Sequence, residues 1–258
     1  MKILVCVKQV PDMESRFKPN SEKTWYEEAN LAWRMNEYDE YAVEQAVQLK
    51  EQQGGEPEVT VLSIGPDRVG ESLKKALAMG CDRAVHIQDS AAYSRDPWQI
   101  ASTIAAFARD RGYDLVFTGM QSQDRGSAQV GVILAELLDI PCATTLVGFS
   151  FDNGTVTAKR ELEGGIKGIV KLNVPALLTC QLGLNIPRYP TLPNIMKAKK
   201  KEVLLLPVAD LNPHAALAVT ASFYAPIRKG GGTVIEGEVD HLVDQVVKIL
   251  KEKTVVLR

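Results

Sequence analysis

From Lys2 to Asp139 the chain alternates short apolar runs with helical stretches, and this rhythm restricts the fold more than any other feature of the sequence. Residues 2–7 (KILVCV) are apolar and rich in β-branched side chains, as a buried strand requires. Beyond Val10, the residues Pro11, Pro19 and Asn20 interrupt any regular pattern and predict a loop. From Glu37 onward, Tyr38, Ala42, Ala46 and Leu49 share one helical face. Asn36 stands before them as an N-cap, and Gly54-Gly55 ends the run. Strands follow at 58–66, 84–87 and 114–119. The intervening helices cover 67–79, then Pro97 to Arg111, then 127–139. Such alternation predicts an α/β fold, a doubly wound, mostly parallel sheet with right-handed crossovers.

After Pro141 the rhythm changes. CATTLVGFSF, TVTAKREL, GIVKLN and ALLTCQL are strand-like runs broken by Asp152-Asn153-Gly154, Gly164-Gly165 and Asn173-Val174-Pro175. They predict β-hairpins added to one edge of the sheet. Beyond Leu184 the text is irregular until a final helix at 239–252. The chain therefore divides into an α/β domain at 1–184 and an arm at 185–258. An arm with so little regular structure lies on the domain or embraces a partner.

Thirty basic residues against thirty-two acidic ones leave a formal charge of −2, which argues against a globally cationic nucleic-acid binder. The opening MKILVCVKQV is too short and too soon charged for a secretory segment, and no apolar run is long enough to span a bilayer. Cys6, Cys81, Cys142 and Cys180 stand singly, and His86, His214 and His241 are scattered without metal-ligand spacing. A cytoplasmic chain without metal is the expectation, and no catalytic nucleophile or paired carboxylates can be assembled from the sequence.

In a parallel sheet, ligands bind at the carboxyl ends of strands where the strand order reverses. Three segments should meet there: Cys6–Lys8, Ile64–Pro66 and Gly119–Val130. The third, GMQSQDRGSAQV, sets two glycines, small polar residues and a Ser127 N-cap before a helix. Unpaired N–H groups at such a helix start suit a phosphate. The same residues also suit an ordinary strand-to-helix connection.

A second segment, PRYPTLPNIMKAKKK at 187–201, presents Tyr189, Leu192, Ile195 and Met196 on a proline-stiffened loop. Beside them stand Lys197, Lys199, Lys200 and Lys201. An apolar tip rimmed by cations is suited to docking an acidic partner. A solvated lysine run or an anionic-surface patch would read the same way.

Taken in order, ILVCVKQVPD, MNEYDEYAVEQAVQLKE, ALAMGCDRAVHI, DLVFTGMQSQDRGSAQVG, KRELEGGI and RYPTLPNIMKAKKK make the chain resemble the electron-transfer flavoprotein beta family nearly end to end. The resemblance implies an adenine-nucleotide-binding, universal-stress-like architecture and a heterodimer with an alpha subunit that holds most of a FAD. It implies that the 185–258 arm wraps that subunit, and that Met13 and Tyr38 border the flavin. Family members commonly have an aromatic residue where Met13 stands; a thioether can also pack on a ring edge.

The resemblance further implies a nucleotide held by Cys6, by Asn36, Glu37, Tyr38 and Asp39, and by Ile64. The loop Gly119, Met120, Gln121, Ser122, Gln123 and Asp124 would complete the site together with Arg125, Gly126, Ser127, Ala128, Gln129 and Val130. Leu192 would recognise acyl-CoA-type dehydrogenases, whose electrons pass on to a quinone reductase in fatty acid oxidation. One branch of the family binds AMP in the beta site. Another binds a second FAD and bifurcates electrons from NADH, with a glycine where Arg125 stands here. Without the resemblance, the same sheet would also suit a nucleotide-binding sensor of the universal-stress type.

Overall fold

The computed structural model describes residues 1–211, 213–225 and 230–254; the other positions of the expected arm lie outside the described residues. Two compact units divide the chain, Met1–Phe223 and Tyr224–Arg258. The first is built on a nine-stranded sheet of β1 (Lys2–Cys6), β4 (Glu58–Gly65), β5 (Arg83–Gln88), β6 (Leu115–Gly119), β7 (Cys142–Asp152), β8 (Thr155–Glu161), β9 (Lys167–Asn173), β10 (Ala176–Cys180) and β11 (Val203–Pro207). The spatial order is β11-β5-β4-β1-β6-β10-β7-β8-β9, and only the β7-β8-β9 meander is antiparallel. A separate two-stranded ribbon pairs β2 (Gln9–Pro11) with β3 (Trp33–Met35), and loop 12–32 projects between them.

β1 lies at the middle of the fold, and its alternation assigns the two faces. Ile3 and Val5 pack with α1 (Glu37–Gln52) and α2 (Gly70–Met79), while Leu4 and Cys6 pack with α3 (Pro97–Ala108) and α4 (Val130–Leu138). Both faces are covered, which is why β1 reads as a continuous apolar run rather than a polar–apolar alternation. The chain leaves β1 for β4 and β5 on one side, then returns to β6 on the other. The strand order therefore reverses at β1, and a crevice opens above its carboxyl end.

The structure corrects the sequence reading at three elements. ALLTC is not an edge hairpin: β10 is buried at all five residues and pairs in parallel between β6 and β7. VLLLP, read as irregular, forms β11 on the opposite edge beside β5. Segment 187–201, read as a stiff loop, contains a helix, α5 (Leu192–Ala198), with Thr191 Oγ1 accepting from Asn194 N–H at 3.4 Å. Pro193 sits in its first turn, where a backbone N–H is not needed. The second unit contains α6 (Val239–Lys253). Among the described residues, no helix is long and apolar enough to cross a membrane.

Candidate functional site

Cys6–Lys8, Ile64, Pro66 and the loop after β6 border one cavity at the carboxyl ends of β1, β4 and β6. The frame of this cavity is set from the N-terminus of α1. Asp39 is buried, and its carboxyl accepts Lys8 N–H at 2.7 Å through Oδ2 and Gly119 N–H at 3.0 Å through Oδ1. Burial pushes its pKa up to about 7 from an ordinary 3.8, against the lowering effect of those hydrogen bonds and of the Lys8 charge. Asn36 does occupy the N-cap position, but its side chain does not cap α1. Its amide instead donates to Gln121 O at 2.8 Å and accepts from Gln123 N–H at 3.0 Å, holding the loop after β6. Gln123 reaches Glu37 at 2.9 Å, and Gln121 donates to the Tyr38 hydroxyl at 3.1 Å.

Two glycines permit this closeness. A Cβ on Gly119 would stand 2.2 Å from Asp39 Oδ1 and 2.7 Å from Tyr38 Cβ. A Cβ on Gly131, in the first turn of α4, would meet Thr118 Oγ1 at 2.8 Å and Thr179 Cγ2 at 2.9 Å. Ser127 is not the cap that the sequence suggested. Gly126 and Ala128 adopt φ of 61° and 54°, so the chain turns left-handed on both sides of Ser127 and becomes helical only at Val130. Gln129 stands at the cap position without a side-chain hydrogen bond, leaving the first N–H groups of α4 without a side-chain cap.

The polar groups around this helix start are unevenly committed. Lys8 Nζ donates to both oxygens of the buried Asp124 at 2.7 Å and to Ser122 Oγ at 3.3 Å. Loss of hydration draws the Lys8 ammonium below its ordinary pKa, while Asp124 opposes that shift. Arg125 donates to Tyr93 O and lies over the Trp25 ring, 4.5 Å from its centre. Trp25 and Tyr26 line the cavity from loop 12–32 and stack with centres 4.3 Å apart. The Trp25 indole N–H and Gln9 Oε1, both on groups lining the cavity, have no hydrogen-bond partner among the described residues. An uncapped helix start, a nearby guanidinium and unpaired polar edges fit a nucleotide carrying a phosphate. Burial pushes the Cys6 thiol up, so it stays protonated and is no nucleophile.

Of the residues expected at the site, Cys6, Asn36, Asp39, Ile64, Gly119, Met120, Gln121, Ser122, Asp124, Arg125, Ser127, Ala128, Gln129 and Val130 line the cavity. Glu37, Tyr38, Gln123 and Gly126 do not; Glu37 and Tyr38 accept from the loop residues Gln123 and Gln121, and Gly126 N–H closes a turn onto Ser122 O at 2.8 Å. Met13 lies outside the cavity and is 42% exposed. The sequence reading missed Trp25, Tyr26, Arg68, Tyr93 and Thr118, and did not place Lys8 among the ligands. The one local signal was the adjacent aromatic pair Trp25-Tyr26 inside a mostly polar loop.

A model of the electron transfer flavoprotein domain matches residues 23–211. The chain belongs to the electron transfer flavoprotein family, as a beta subunit. It is 36% identical to electron transfer flavoprotein subunit beta of Methylophilus methylotrophus, over 98% of each chain. It is also 36% identical to the Bacillus subtilis subunit over the whole of both chains. With the mitochondrial subunit of Oryza sativa subsp. japonica it shares 39% identity, over 95% of this chain and 97% of that one. The family match covers the cavity's aromatic wall and the loop after β6, and it removes the universal-stress sensor as a reading.

The segment 187–201, expected to dock a partner, is held at both flanks. Arg188 forms paired hydrogen bonds to Glu44, at 2.9 and 3.0 Å, and to Glu51, at 2.6 and 2.9 Å. Lys201 turns inward and donates to Leu77 O at 2.9 Å and Cys81 O at 2.5 Å. Between these anchors Tyr189 is 92% and Leu192 79% exposed, with Met196, Lys197, Lys199 and Lys200 also exposed and Ile195 beside them.

Proposed function

We propose that this chain pairs with an alpha subunit that holds most of a FAD, and that it binds AMP in the cavity beside β1 and β6. In this reading the heterodimer takes electrons from acyl-CoA-type dehydrogenases and passes them to a quinone reductase, serving fatty acid oxidation in the cytoplasm. The observation that carries the nucleotide assignment is the uncapped start of α4 facing a cavity that also holds Arg125. When bound, the flavin supplies the redox chemistry. The residues of this chain hold the nucleotide phosphate, exclude water with Trp25 and Tyr26, and fix the loop after β6 through Asn36 and Asp39. The 1–184 part then serves as nucleotide holder, and 185–258 recognises partners and wraps the alpha subunit.

Arg125 favours AMP over a second FAD in this subunit. Drawn onto Trp25 and Tyr93, its side chain occupies space beside the helix start. A monophosphate needs only that helix start and one cation, whereas a diphosphate bridge must also pass Arg125. Denaturing the purified alpha–beta complex and quantifying released nucleotides by chromatography tests the reading. One FAD and one AMP per heterodimer is the expected result; two FAD, with reduction by NADH, would make the complex a bifurcating enzyme.

A further inference from the structure

Segment 213–223 has no regular structure, yet it is pinned along its length. Gln99 Nε2 donates to His214 O at 2.9 Å, and the His214 ring meets Trp98 edge-on with centres 5.6 Å apart. Asp96 then serves two masters. Its Oδ1 caps α3 by accepting Gln99 N–H at 2.7 Å, while Oδ2 accepts Leu217 and Ala218 N–H at 2.6 and 2.8 Å. At the far end Phe223 N–H donates to Lys23 O at 2.5 Å. The Phe223 ring centre lies 6.1 Å from Tyr26 and 6.3 Å from Trp25.

Those two rings are the aromatic wall of the cavity. Their loop is tied within itself by the Pro19–Tyr26 bridge and by Asn20 N–H to Trp25 O and Glu27 N–H to Lys18 O, each at 2.8 Å. The Arg68–Glu28 ion pair at 3.1 Å ties it to the rest of the unit. In the turn before them, Asn20 Oδ1 accepts Thr24 and Trp25 N–H at 3.0 and 3.3 Å. Phe17 adds a ring 5.2 Å from Tyr26, and Tyr93 adds one 6.2 Å from Trp25. Phe223 comes from nearly two hundred residues downstream, as the last residue of the first unit. Half-buried, it covers Trp25 and Tyr26 on the side that its strap approaches.

We infer that Phe223 is a positioning residue for the nucleotide site: it touches no expected ligand group but holds Trp25 and Tyr26 in place, and through Trp25 the Arg125 stack. The inference rests on reading the cavity as a nucleotide site. Edge-to-face and tilted aromatic pairs of this spacing contribute enough that losing both should speed nucleotide release about ten-fold.

The test uses the full-length alpha–beta complex with wild-type chain, Phe223→Ala and Phe223→Tyr. Two quantities are measured: exchange of bound AMP against labelled AMP, and the rate of tryptic cleavage after Arg16 and Lys23 in loop 12–32. Phe223→Ala should accelerate both, and Phe223→Tyr, which keeps the ring, should restore both. Unchanged cleavage in Phe223→Ala would overturn the claim that this ring holds the loop. Faster cleavage with unchanged exchange would overturn its role in nucleotide retention. Wild-type complex without AMP would remove the AMP reading, while cleavage would still decide whether Phe223 holds the wall.

Discussion

A carboxyl buried between two backbone N–H groups, as Asp39 is, gives the cavity a titratable keystone. Asp39→Asn turns an NH2 group toward one of those donors, and at pH 5 should cost about 1–3 kcal/mol of stability. The pH dependence follows from the raised pKa. Below an ordinary value of 3.8 both folded and unfolded chains carry the proton; between there and about 7 only the folded chain does. The stability supplied by this group therefore falls as pH rises through that window and levels off above it. Urea midpoints measured from pH 4 to 7.5 should slope less in Asp39→Asn than in wild type, and equal slopes would assign the linkage to other groups. The sequence could place Asn36 and Asp39 near the site only through family resemblance. Their partners on the loop after β6 lie some eighty residues away, and nothing local announces that these side chains are spent on holding a loop. Ser127 failed for a related reason: the residue type suits a cap, but the left-handed φ angles beside it are invisible in the letters.

At the level of elements, the parallel half of the sheet was legible because each strand–helix unit is local in the chain and covered on both faces. β10 was not, because an apolar strand at the centre and one at an edge read alike until its neighbours are known. β11 and α5 were obscured by the prolines and lysines around them, which mark the flanks of short elements as readily as their absence. The lysine run also divides at this scale. Lys201 satisfies carbonyls at the carboxyl end of α2, whereas Lys197, Lys199 and Lys200 face solvent. Lys201→Met keeps the stem but strands those carbonyls, so it should lower stability by about 1 kcal/mol. Thermal melts should register that loss, while the salt dependence of partner association should stay unchanged. A marked change in that salt dependence would return Lys201 to the docking rim.

In the first unit the two proposed roles are apart: the cavity proposed for a nucleotide lies over the middle of the sheet, and the exposed apolar knob stands on a segment anchored to α1 and α2. Arg188 grips Glu44 and Glu51 on one flank, and Lys201 grips α2 on the other, so the knob is presented on a fixed base. A net charge of −2 gives no global attraction to an acidic partner, which leaves steering to the local cations Lys197, Lys199 and Lys200. Affinity and encounter should therefore separate on mutation. Leu192→Ala removes an exposed side chain that a dehydrogenase pocket would bury, and should weaken docking by about 1–3 kcal/mol, mainly through faster dissociation. Neutralising the three outward lysines should instead slow association and flatten its dependence on ionic strength. Stopped-flow reduction of the heterodimer by an acyl-CoA-type dehydrogenase, with nucleotide content checked in each variant, measures both. Unaltered kinetics in Leu192→Ala with every dehydrogenase tried would move the recognition surface away from the start of α5, to another of the exposed apolar residues such as Ile186.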